Sequence, residues 1–396
     1  MKKWSQVGGK RWRLLGVVQL VGIGLVSSAL GSHGATADWA PEIAALQAVG
    51  PEGQGNERAR TAIRRLATAE GSVLLRLLEA MDEAGGLGLN WLRAAADGIV
   101  DREVAAGRDL PVAELGEFLL DGRHHPKARR FAYELMVRLV PAAAEQLLPG
   151  MINDPSVELR RDAVQRLIDG ASRLEAGGSG AAARVVFQQA LGAARDVDQI
   201  EGVAQALKRL GQSVDLPRHF GFVMNWKVMG PFENPDRRGF DLVFPPENEI
   251  DLNASYSGKT GEVKWEDLVT SDPYGMLDIN QAYGPLKEVT AYAYSEFEVP
   301  DARPVEIRLG CKNAWKLWLN EELLFGMNEY HRGMRIDQYT VRGQLRAGRN
   351  TILVKACQSE QTEAWTVEWQ FQLRVCDATG TAILASNRPA DEKAQP

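Results

Sequence analysis

Cysteine is scarce in this chain of 396 residues, and the three that occur, Cys311, Cys357 and Cys376, all fall late. Three thiols cannot all pair within one chain. Strand phase leaves three pairings open, and leaves three unpaired residues equally open. No C-x-x-C, H-E-x-x-H or G-x-S-x-G pattern occurs, so the zinc-ribbon, thioredoxin, metallopeptidase and serine-hydrolase signatures are missing. An excess of one charge is lacking too. The 46 basic and 52 acidic residues are interspersed, with a formal net charge of −6. No lysine/arginine stripe is present to neutralise phosphates, which argues against a nucleic-acid partner. Long hydrophobic runs are absent apart from residues 14–30.

That run lies in an export-signal pattern. Lys2, Lys3, Lys10, Arg11 and Arg13 precede it, and Ala35-Thr36-Ala37 follows as an A-x-A cleavage site. The reading is a signal peptide over 1–37 and a periplasmic, extracellular or cell-envelope location. The alternative is an uncleaved anchor, which Gln19 and the pair Ser27-Ser28 disfavour.

The chain changes character near residue 215. Before it, the composition is rich in Ala, Leu and Arg, with apolar residues at helical spacing; after it come short alternating runs that hold most of the Trp and seven of the eight Tyr. Within 40–212 an Arg-x-Ala pair recurs at Arg60/Ala62, Arg93/Ala95, Arg130/Ala132 and Arg161/Ala163. An apolar residue follows each Ala by four: Leu66, Ile99, Met136 and Leu167. Repeats of this length mark stacked helical hairpins. A small residue and its i+4 neighbour share a face on which the next helix can approach closely. In the unit 153–163, Asp154 precedes Pro155 and is expected to cap a helix starting there. This Asp-Pro-x-x-x-Leu-Arg-x-x-Ala run resembles HEAT repeats, and the resemblance implies a protein-binding surface. Residues 176–183 read as a flexible connector, and 184–211 as a further helix pair. His124 and His125 adjoin in a turn with no Cys or third His nearby, so they read as solvated residues rather than metal ligands.

In the second half, 305–311, 314–320, 351–357 and 365–375 read as strands. The last alternates Trp365, Val367, Trp369, Phe371, Leu373 and Val375 on one face with polar residues on the other. It is expected to have one side in a core and one in water. Ser257-Gly258-Lys259-Thr260 ends like a Walker A loop, but Asn253 stands where glycine is needed and a strand pattern follows; a hairpin turn is expected. Asn253-Ala254-Ser255 is a sequon, relevant only in a eukaryotic host.

The runs 309–320 and 345–355, with 226–232 before them, together resemble a galactose-binding-like jelly roll, the fold of the sugar-binding domain of family 2 glycoside hydrolases. The departures are Lys312-Asn313-Ala314, where that family often carries Asp-Asp-Gly, and Glu321, where it has a turn glycine; Asn320 can take the left-handed position itself. The resemblance implies carbohydrate binding. Trp318 lies on the face opposite Leu317 and Leu319. It is either an exposed sugar platform, or packed under a loop or against the helical half. Tyr292 and Tyr294 share this ambiguity, and 330–337 is either a ligand rim or a solvated loop. The candidate ligand-binding residues are therefore Trp318, Asn320, Tyr292, Tyr294, His331, Arg332, Arg335 and Asp337.

The expectation is a multidomain α + β protein: an N-terminal α-solenoid over 40–212, a C-terminal antiparallel β-sandwich over 217–380, and a disordered tail over 381–396. It would be an exported, non-enzymatic binding or scaffold protein without cofactor or metal. The sandwich would hold a carbohydrate or envelope polymer and the helices a protein partner. The alternatives are a purely structural module of an envelope assembly, and a glycan-hydrolase subunit.

Overall fold

A computed structural model describes residues 38–140 and 142–389. The expected export signal lies outside the described residues. No described helix is long and apolar enough to cross a membrane.

Among the described residues, ten α-helices build the first half: α1 Ala40–Gln47, α2 Asn56–Leu66, α3 Val73–Ala80, α4 Gly86–Ala105, α5 Val112–Leu120, α6 Pro126–Leu139, α7 Ala143–Leu147, α8 Val157–Ala176, α9 Gly180–Ala193 and α10 Val197–Arg209. The four alanines of the Arg-x-Ala pairs are all buried: Ala62, Ala95, Ala132 and Ala163. Their small side chains bring neighbouring helices close, and the apolar i+4 residues pack in the same layer. Three of the motif's four arginines serve the same stacking. Arg93 Nη2 reaches Glu134 Oε2 at 2.5 Å on α6. Arg130 pairs with Asp162 on α8, and Arg161 Nη2 lies 2.6 Å from Asp198 Oδ2 on α10. Each pair ties one unit to the next.

Two local expectations shift. The helix predicted from Pro155 begins at Val157, because Ser156 is its N-cap and its hydroxyl accepts from Leu159 N. The expected connector 176–183 shrinks to the turn Gly177-Gly178-Ser179, with Gly178 in the left-handed region, before α9 starts.

The second half is antiparallel throughout. A six-stranded sheet runs β4-β1-β6-β11-β8-β9, where β1 is Asn225–Glu233, β4 Glu266–Val269, β6 Val289–Val299, β8 Ala314–Leu319, β9 Glu322–Met327 and β11 Gly348–Gln358. A four-stranded sheet runs β10-β7-β12-β5, where β5 is Leu277–Asp278, β7 Arg303–Cys311, β10 Tyr339–Leu345 and β12 Gln370–Cys376. The inward residues of both, among them Val354, Leu317, Ile307, Leu373 and Trp369, form one shared core, so the layout fits a helical region followed by a β-sandwich. The Walker-like residues lie at the hairpin of β2 Ser255–Gly258 and β3 Gly261–Lys264.

The strand expected over 365–375 is shorter. Residues 369–375 alternate into the core as read, but Ala364–Thr366 is a 3₁₀ turn, and Trp365 and Val367 are exposed. The Thr366 hydroxyl donates to the carbonyls of Gln361 and Glu363, closing a turn where a strand would need a ladder partner. The opposite face of β12 is not in water either. Gln372 and Arg374 are buried, because the helical half and the loop before β10 cover that face.

The boundary near residue 215 is less sharp than composition suggests. One apolar cluster joins α8, α9 and α10 to Phe220 and Phe222, with Met224, Tyr274 and Ile336 of the sheet half packed against it. Residues 381–389 are not a disordered tail. Ile383 N donates to Val375 O and Ser386 N to Glu298 O. Arg388 Nη1 donates to Phe222 O. Ile383 and Ala385 pack on the inter-sheet core. The apolar content of this segment earns its order.

Candidate functional site at the loop end of the sheets

Five connections meet where β1, β11 and β9 end and where β6, β8, β10 and β12 begin. They are residues 234–240, 284–288, 312–313, 328–338 and 359–369. Trp365 stands among them, 61% exposed. Its loop is held from below. Lys287 Nζ donates to Thr366 O at 2.8 Å and to Thr366 Oγ1 at 3.0 Å. Buried Gln358 donates from Nε2 to Thr366 O at 2.9 Å. An apolar ring is thus displayed on an anchored turn, the arrangement that minimises ordering cost on binding.

Hydrogen-bonding groups surround it. His331 meets the Trp365 ring edge-on, with centroids 5.5 Å apart and planes at 87°. Its Nε2 lies 2.6 Å from Ser359 Oγ. Burial, then the charges of Lys287 and Arg237, hold the His331 pKa below its ordinary value, so the imidazole is neutral at pH 7. Arg237 pairs with Glu360 through two bonds, Nε to Oε2 at 3.0 Å and Nη2 to Oε1 at 2.6 Å. Its guanidinium also lies over the Tyr330 ring at 5.1 Å. Tyr330 Oη accepts from Asn234 Nδ2 at 3.3 Å.

The backbone is strained here. Asp236, Arg237, Glu288 and His331 all have φ between 52° and 64° in these loops. Non-glycine residues in that region each cost about 1–3 kcal/mol, and such strain clusters at ligand sites.

The residues singled out from sequence scatter. Trp318 is buried, at 6% exposure, beside the one-turn helix Pro245–Asn248, which sits over the outer face of the six-stranded sheet. It is no platform, because residues 244–252 cover it. Tyr292 and Tyr294 are buried on the same face. Tyr292 Oη donates to Glu247, whose Oε1 also takes a 2.7 Å bond from the wholly buried Lys355. Burial pushes the Tyr292 phenol pKa up, and the Glu247 carboxylate adds to the effect. Tyr294 Oη bonds Glu296 and accepts from Arg349. This cluster pins the covering segment and leaves no room for a sugar.

Asn320 takes the left-handed position with φ of 52°, and its Oδ1 accepts from Thr351 N, so its role is the hairpin. Asp337 is held between Arg308 and Arg374, which lower its pKa against the opposing effect of burial. Arg335 is exposed, and its carbonyl lies against Gly310, where a Cβ would come within 2.4 Å of it. Arg332 pairs with Glu329 on the exposed rim. Of the eight residues, His331, Arg332, Arg335 and Asp337 lie in the 328–338 connection, and His331 is the one that meets the Trp365 ring. Sequence reading missed Trp365, Arg237, Lys287 and Glu360. The polar run Ser359-Glu360-Gln361-Thr362-Glu363 just before Trp365 is the signal that the strand starts later. Among the described residues no group of three or more His, Cys, Asp or Glu side chains is placed to hold a metal ion.

No known family description matches the sequence, and no curated protein is significantly similar to it. Among solved structures, a β-glucosidase from Kluyveromyces marxianus in complex with glucose is 15% identical over 23% of this chain and 10% of that one, with a TM-score of 0.19. A selenomethionine form of a β-glucosidase from the same organism is 11% identical over 38% of this chain and 16% of that one, at 0.24. The chain thus spans a small part of the β-glucosidase length. A family 35 carbohydrate binding module from Clostridium thermocellum is 13% identical over 38% of this chain and 98% of that one, at 0.19. Similarity at these TM-scores carries no weight for the fold or for the function.

Proposed function

We propose that this is an exported binding protein whose sheet half, a galactose-binding-like jelly roll, holds a carbohydrate at the loop end. The observation that carries this reading is the exposed Trp365, fixed from below by Lys287 and flanked by neutral His331. Aromatic faces stack on the C–H surface of sugars, and neighbouring imidazole, guanidinium and carboxylate groups supply the hydrogen bonds that orient hydroxyls. Binding without turnover suits the site, since its polar groups are tied to one another: Arg237 to Glu360 and His331 to Ser359. The helices, read as a HEAT-like stack, are proposed to carry the protein-facing role.

The test is calorimetric titration of the full chain against soluble plant and bacterial polysaccharides, with Trp365→Ala and Trp318→Ala compared. Saturable binding lost in Trp365→Ala and kept in a folded Trp318→Ala supports the site. No binding to any polysaccharide turns the reading to a purely structural module. Release of reducing ends by the purified chain overturns the non-enzymatic part.

A further inference from the structure

A cavity of about 400 Å³ lies where the helical half meets the sheet half, and Trp365 is not among its lining residues. On one side are Arg195, Arg218 and His219; on the other are Arg374 of β12 and the 380–384 segment. Its composition is unusual for a domain joint. Arg195 is half-buried. Its Nε donates to Thr381 Oγ1 at 2.9 Å, and its Nη1 to the carbonyls of Gly192 and Ala194. All three acceptors are neutral. Arg160 and Arg374 add their positive fields, while Asp377 offsets them in part. Arg374 is buried and holds the cavity wall through Asp337 and the carbonyls of Phe220 and Gly380. Arg218 is exposed at the mouth beside Asp215, whose Oδ1 accepts from Arg218 N. Neither ring nitrogen of His219 makes a hydrogen bond to a described residue. Ile200, Val214 and Leu384 complete the lining with apolar surface.

We propose that this cavity binds a small organic anion, with a carboxylate or phosphate group on Arg195 and Arg218 and His219 donating a further bond. Planar guanidinium groups match such oxyanions geometrically, and a partly desolvated arginine with only neutral acceptors is stabilised by a negative charge. The volume falls in the range of small-ligand sites, and the apolar wall gives the rest of the ligand a dry surface. Because both halves of the chain contribute, occupancy would also strengthen the joint between them.

His219 provides the readout. Burial first, then Arg195 and Arg374, push its pKa down to about 4. A bound anion offsets those positive fields and raises it. The experiment follows the His219 ring resonances of the full chain by NMR, assigned with His219→Gln. The pH is varied with inorganic phosphate, with citrate and with sodium chloride at matched ionic strength. The expected result is a saturable rise of about one pKa unit with phosphate or citrate and none with chloride, accompanied by calorimetric binding. Phosphate alone or citrate alone would fix which group is preferred. Arg218→Gln, at an exposed position, is expected to weaken binding at least about tenfold. Arg195→Gln is expected to abolish binding in the folded chain. No heat and no His219 shift at about 10 mM of either anion overturns the site. Undiminished binding in the Arg218→Gln chain overturns it as well.

Discussion

Arg129 on α6 and Asp154 in the turn before α8 are joined by two hydrogen bonds of 2.7 Å each, with both side chains buried. Arg129 Nε also donates to Leu119 O, and Asp154 Oδ1 also accepts from Ser156 N. Asp154 therefore sets the approach of two helices and does not cap the one that follows it. Replacing Asp154 by Ala leaves a buried guanidinium without a counter-charge. The expected loss is about 3–5 kcal/mol, because an uncompensated buried charge costs more than the intact pair contributes. Chemical denaturation of Asp154→Ala, Arg129→Met and the double variant checks this. The double variant should be less destabilised than the sum of the singles.

Trp365 and Trp369 stand four residues apart and should respond oppositely. Trp365 is exposed, so Trp365→Ala should change stability by less than about 0.5 kcal/mol. Trp369 is wholly buried, and its Nε1 donates to Ala356 O at 3.2 Å. Trp369→Ala should cost about 3–5 kcal/mol by opening a cavity between the sheets. Equal losses at the two positions would contradict the exposure of Trp365 on the turn Ala364–Thr366.

The three cysteines are unpaired and buried. Burial raises all three thiols, Cys311 to about 12 and Cys357 and Cys376 to about 11. The thiolate is the reactive form, so a disulfide-exchange reagent at pH 8 should label none of them in the folded chain and all three in guanidinium. Fast labelling of one native thiol would contradict this packing.

His219 gives the fold a dependence on pH. Its folded pKa of about 4 lies below the reference value of 6.5, so between these values the unfolded chain binds more protons. Stability from this group is complete above about pH 6.5 and is lost as pH falls towards 4. Allowing for the partial exposure of the ring, the loss is on the order of 2 kcal/mol. Urea unfolding of wild type and His219→Gln between pH 4 and 7 should show a slope that the variant flattens.

Patterns of local spacing were readable in the sequence. The buried alanines Ala62, Ala95, Ala132 and Ala163 obey the helical period, and Trp369, Phe371, Leu373 and Val375 alternate into the core as their spacing implies. What failed depends on parts of the chain distant in sequence. Trp318 was placed on the correct side of β8, yet what covers that side is a segment some seventy residues earlier in the chain. Trp365 followed a two-residue rhythm that Thr366 and Lys287 interrupt through bonds no periodicity reveals. Arg374 looked solvated by its polarity, and the docked helices hold it out of water. The sequence pattern of a strand gives its two faces, while what each face meets is decided by topology.

The segment 381–389 touches both halves. Thr381 accepts from Arg195, Ile383 and Ser386 bond strand backbones, and Arg388 closes on Phe222. During synthesis the helices and both sheets leave the ribosome before this seam does. Until it arrives, the joint rests on the apolar cluster around Phe220 and Phe222 and on Arg374, without the bonds of Thr381 and Arg388, so its final setting is a late event in biogenesis.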